Sequence, residues 1–152
     1  MPFCVVCIGD IMKNVITVQT VVNAPIERVW ECWNEPKHIT GWAFDSDDWE
    51  VPAANNNLHI GGKFKITTAA KDKTARLDFT GVYTHIKEHE LIEYNIADGR
   101  HVKVEFKELS EGVKITETFE PENENPEEVQ RSSWQATFEN FKKYVEANQQ
   151  GQ

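Results

Sequence analysis

Apolar runs long enough to cross a bilayer are missing from this 152-residue chain: none approaches the ~18 residues a spanning helix needs. Positive charge is scarce too. Lys and Arg total 16 against 25 Asp and Glu, a formal net charge of -9. Phosphate recognition rests on clustered Lys and Arg, so neither nucleic acid nor an anionic membrane is an expected partner. Cysteine is limited to Cys4, Cys7 and Cys32. Cys4-Val5-Val6-Cys7 has the CxxC spacing of half a zinc site or a redox pair, but no second CxxC and no βαβ pattern accompany it, so no metal is expected. The histidines His38, His59, His85, His89 and His101 form no HExxH pair. His85 and His89 are four apart, but across a strand turn rather than on one helix face. GxSxG and GK[ST] are absent as well, and Ser132-Ser133 has no marked base beside it. Asp45-Ser46-Asp47-Asp48 reads as a solvated loop. No catalytic residue and no cofactor are assigned.

The N-terminal stretch is apolar but lacks a basic leader and a small-residue cleavage site. The expectation is a cytoplasmic protein with reduced cysteines. Residues 1–13 read as an N-terminal extension, of which 1–11 read as upstream sequence. Residues 14–147 form one domain and 148–152 a tail.

What the chain does have is large rings: five Trp and eight Phe. The last segment organises them. Asn125-Pro126-Glu127-Glu128 suits a helix start, with Asn as cap, Pro in the first position and two acids at the positive dipole end. Trp134, Phe138, Phe141 and Val145 then put three rings on one helix face, and Glu139 and Lys143 can pair on the wet side. Such a stripe needs a concave apolar partner. Val15 to Val22 is a β-rich run. Asn23-Ala24-Pro25 starts a helix carrying Ile26, Val29, Trp30 and Trp33, and Pro36 opens a second short one ended by Gly41. Strands follow, with Gly61-Gly62 as a kink and Asp98-Gly99 as a hairpin turn. The apolar phase of Leu77, Phe79, Val82 and Ile86 slips at Gly81, as at a bulge. Hairpin connections imply an antiparallel sheet, wrapped round the last helix.

The sequence resembles the helix-grip superfamily (SRPBCC) of START lipid-transfer domains, birch-pollen-allergen-like proteins and polyketide cyclases. Within it, it is similar to the homologues of the activator of heat-shock protein 90 ATPase. The residues that carry this are Ala24-Pro25-Ile26-Glu27-Arg28-Val29-Trp30, Trp42, Gly61-Gly62-Lys63-Phe64, Phe79-Thr80-Gly81-Val82-Tyr83, Leu91-Ile92-Glu93-Tyr94, and Trp134 through Tyr144, over residues 14 to 147. The resemblance implies an α+β helix-grip fold: a curved antiparallel sheet of about six to seven strands around a long C-terminal helix, with two short helices after the first strand. It also implies a cavity between sheet and helix, and carries over no catalytic residue.

Alternation and helix phase select the side chains that would face a ligand: Phe64, Phe79, Tyr94, Val104, Phe106 and Ile115 from strands, and Trp30, Trp33, Trp134, Phe138 and Phe141 from helices. Glu117 falls on the apolar side of its strand, where a carboxylate must find a partner, face water, or take a raised pKa. The leading expectation is a non-enzymatic carrier or sensor of a small apolar, lipid-like molecule. A polyketide cyclase or aromatase, with Glu117 or Tyr94 as acid or base, is the alternative. A chaperone co-factor acting on the heat-shock protein 90 ATPase is the third. Nothing in the sequence sets an oligomeric state.

Overall fold

The computed structural model describes residues 15–148. The Cys4–Cys7 pair, the N-terminal extension and residues 149–152 lie outside the described residues. The chain runs β1 (Ile16–Val22), α1 (Ile26–Asn34), α2 (Pro36–Ile39), β2 (Trp49–Asn56), β3 (Lys63–Ala70), β4 (Arg76–Lys87), β5 (Leu91–Ile96), β6 (His101–Leu109), β7 (Gly112–Phe119) and α3 (Glu127–Asn148). All seven strands form one antiparallel sheet in the order β1-β7-β6-β5-β4-β3-β2. The sheet is curled into a half-barrel around α3, the helix-grip architecture.

The alternation of β5, β6 and β7 survives intact. Ile92, Tyr94 and Ile96, then Val102, Val104 and Phe106, then Val113, Ile115, Glu117 and Phe119 are all buried on the concave face. Strand register lines them into rows: Tyr83, Tyr94, Val102, Phe119 and Ile16 make one, and Ile92, Val104, Glu117 and Val18 the next. Gly99, at φ 96, closes the β5–β6 hairpin in a backbone conformation that other residues resist.

Three local expectations are corrected. The phase of β4 does not slip at Gly81. Leu77, Phe79, Gly81 and Tyr83 stay on one face, and the register shifts between Tyr83 and His85 instead. Val82 is therefore on the outer face, 37% exposed. Gly81 is glycine because the Phe64 ring lies over it: a Cβ there would sit 2.6 Å from that ring.

The start of α3 also differs. Asn125 does not cap it; its side chain and backbone N–H both donate to the Glu122 carboxylate. Buried Gln130 does the tying, donating to the carbonyls of Glu122 and Asn125 and accepting from the Glu122 N–H. Glu139 accepts from Gln135 rather than pairing with Lys143, while Lys142 pairs with Glu146 at 2.8 Å.

α3 is fastened along β1. Gln135 donates to the Gln19 carbonyl, Lys142 to the Val21 carbonyl, and the Asn23 N–H to Glu146. The helix thus covers the β1–β7 side of the sheet, and the wall from β3 to β5 faces open space.

Candidate functional site

That space is a cavity of about 660 Å³. Its floor comes from β3, β4 and β5 (Phe64, Phe79, Tyr83, Ile92, Tyr94) and its roof from the first half of α3 (Trp134, Phe138). The end wall is Trp33 of α1 with Trp42 after α2. The mouth lies between β4 and the start of α3, where Leu77 (61% exposed) and Val129 (54%) present apolar surface.

The rings form a connected wall. Trp134 stacks on Phe119 with centroids 3.8 Å apart and meets Phe79 edge-on at 6.2 Å. Phe79 in turn meets Tyr94 at 6.3 Å, and Tyr94 meets Phe64 at 4.8 Å. Edge-to-face contacts of this kind hold rings in fixed orientation, so the wall is preformed. Trp33 touches Trp42, Phe138 and Phe141 at 4.9, 5.7 and 5.0 Å.

Seven of the side chains expected from the sequence line this cavity: Trp33, Phe64, Phe79, Tyr94, Glu117, Trp134 and Phe138. Five others, Trp30, Val104, Phe106, Ile115 and Phe141, face inward but pack into solid core and leave the lining to their neighbours. The reason is α1. Its Trp30 and Trp33 press on Phe106 at 5.2 and 5.9 Å and fill that end of the concave face. Periodicity reports which way a side chain points, and only the helix position decides whether the space it points into is occupied.

Lining residues that sequence reasoning missed come from loops or from polar positions. Asn56, Arg100, Gln130 and Ser133 are examples. Tyr83 donates its hydroxyl proton to Asn56, and the Asn56 amide donates to the Asn34 carbonyl at 2.8 Å. Ser133 donates to Asp45 at 2.6 Å and Asn140 to the Phe44 carbonyl, fastening the roof to the loop after α2. Among the described residues no three or more His, Cys, Asp or Glu come together as a metal site would require.

Two polar groups stand apart. Glu117 is 5% exposed, and loss of hydration alone pushes its carboxyl up to about 8. Tyr94 is 7% exposed, and burial first, then the nearby Glu117 and Tyr83, hold its hydroxyl well above the usual tyrosine range. Both belong to the cavity wall. Near neutral pH both are therefore uncharged hydrogen-bonding groups in an aromatic enclosure, able to donate to or accept from whatever enters.

Solved structures share this fold. An AHSA1-like protein from Aeromonas hydrophila is 35% identical, with TM-score 0.85 over 90% of this chain and 94% of its own. A protein from Cytophaga hutchinsonii is 48% identical, with TM-score 0.76 over 90% and 95%. A protein from Nitrosomonas europaea shares the fold at TM-score 0.78 with 12% identity, over 91% and 98%. No curated protein matches. The family model for Activator of Hsp90 ATPase homolog 1-like protein matches residues 23–146, most of the chain and both walls of the cavity, and the chain belongs to that family.

Proposed function

We propose that the protein binds a small, largely apolar molecule between the sheet and α3, as a carrier or sensor. The observation that supports this most is the cavity itself: about 660 Å³ that a core rich in Trp and Phe leaves open. An apolar concavity of that extent with a few polar groups in its wall, beside an otherwise close-packed core, is the form that small-molecule sites take. The aromatic wall gives contact area, the apolar rim gives an entrance, and Glu117 with Tyr94 gives orientation.

The test is native mass spectrometry of freshly purified protein, with the denatured mass as control, followed by titration with N-phenylnaphthylamine, a neutral fluorescent apolar probe. A bound mass that vanishes on denaturation, or saturable one-to-one probe binding weakened by the cavity-filling change Ile66→Trp, is expected. Absence of both in folded protein overturns the reading.

A further inference from the structure

The charges in the cavity wall point to the class of ligand, an inference that rests on the cavity being the binding site proposed above. The wall carries four carboxylates, Asp45, Asp78, Glu117 and Glu122, against one cationic group, Arg100. Three of the acids have partners. Asp45 accepts from Ser133, Asp78 accepts from Thr67 and faces Lys65 at 3.7 Å, and Glu122 accepts from the N–H groups of Glu124 and Asn125. Arg100 is held by Asp98 and the Glu120 carbonyl. Glu117 is the exception: no side chain or backbone group among the described residues donates to its carboxyl, and its neighbours in register are Val18 and Val104.

An unpartnered carboxyl on an aromatic wall is a half-built ion pair. Burying a carboxylate is costly until an opposite charge meets it. Tyr94 lies close enough to Glu117 to feel its charge, Phe79 and Trp134 line the same cavity, and aromatic ring faces attract cations. We infer that the ligand is an apolar molecule bearing a protonated amine, which pairs with Glu117 inside the aromatic enclosure. An anionic ligand would meet the carboxylates of Asp45, Asp78 and Glu122 with Arg100 alone to offset them. A neutral ligand would gain one hydrogen bond from Glu117 and leave the ion pair unmade. The net charge of -9 adds a field that draws cations and repels anions.

The other ionisable groups on this wall are Tyr83 on β4, Tyr94 on β5, Arg100 before β6, and Asp45, Asp78 and Glu122 toward the rim. Helix α3 faces the cavity with uncharged side chains, Gln130, Ser133 and Thr137 among them. Since Glu117 holds its proton in the ligand-free protein near neutrality, pairing with an ammonium group displaces close to one proton.

The experiment compares three probes of one shape, naphthylmethylamine, naphthylmethanol and naphthoic acid, by isothermal titration calorimetry near neutral pH. The amine binds about tenfold or more tightly than the alcohol, and the acid most weakly. Repeating the amine titration in phosphate and in Tris reads the released proton directly in the wild-type protein. In folded Glu117→Gln the preference for the amine over the alcohol falls to near unity. An alcohol bound as tightly as the amine, no proton release, or an unchanged preference in Glu117→Gln overturns the ammonium inference and leaves the cavity reading standing. Failure of all three probes to bind overturns both.

Discussion

Glu117 makes the stability of this fold depend on pH in an unusual direction. Its carboxyl is ordinarily half-ionised near 4.5 and is pushed up to about 8 in the folded chain by loss of hydration. Below pH 4.5 it is protonated whether the chain is folded or not, and it brings no penalty. Between 4.5 and about 8 the unfolded chain releases the proton that the folded chain retains, so stability falls as pH rises. Above about 8 the full cost is reached, about 5 kcal/mol at about 1.4 kcal/mol for each pKa unit. Glu117→Gln keeps the shape and removes the titration. Tyr94, whose hydroxyl Glu117 helps to raise, keeps its proton throughout this range, so the difference between the two proteins isolates Glu117. From pH 5 to pH 9 that difference grows by about 4 kcal/mol in favour of the variant, a large fraction of a small domain's total stability. Urea unfolding at five pH values reads it: with a slope of about 2 kcal/mol per molar, the midpoints separate by about 2 M more at pH 9 than at pH 5. Midpoints that run parallel across the range would refute the desolvated carboxyl.

Other consequences are as direct. Phe106→Leu lowers the unfolding free energy by about 1 kcal/mol, because Phe106 is packed against Trp30 and Trp33 outside the cavity, yet leaves N-phenylnaphthylamine affinity within about twofold; a large loss of probe binding would return Phe106 to the lining. Gly81→Ala forces a methyl group 2.6 Å from the Phe64 ring and costs about 2 kcal/mol in a thermal or urea melt, whereas a neutral effect would mean that the two strands move apart freely. Trp134→Ala removes the ring stacked on Phe119 and costs about 3 kcal/mol by urea unfolding, and no change would show that the stack carries no stability. Gln130→Ala strips three hydrogen bonds from the loop before α3 and costs about 2 kcal/mol. Hydrogen exchange at the Glu122 amide accelerates in that variant; unchanged protection there would contradict the role given to Gln130.

Much of this arrangement is legible in the sequence where one physical rule acts alone. β5, β6 and β7 each bury a single face, so strict alternation reads their phase correctly and places Glu117 inside. The stripe of α3 reads correctly for the same reason. Legibility fails where two rules compete. Glycine has no side chain to declare a face, so Val82 was the natural inward residue of β4, while the Phe64 ring occupies that position above Gly81. Asn125 has the right chemistry for a cap, but the Glu122 carboxylate offers it better partners. The split between lining and core needs the long-range placement of α1, which no local pattern encodes. The polar lining residue Asn56 is invisible for a further reason: its hydrogen-bond partners, Asn34 and Tyr83, lie far along the chain.

The fastening of α3 along β1 reaches beyond the cavity. An open seven-stranded sheet has two free margins, and each is a template on which a foreign strand can add. On β1 the outward carbonyls of Gln19 and Val21 are already occupied by Gln135 and Lys142. On β2, at the opposite margin, Pro52 lacks an N–H and sits in the irregular stretch between Glu50 and Ala53. The bonds that hold the helix in place also take up hydrogen-bonding groups at one margin of the sheet, leaving a foreign strand less to pair with there.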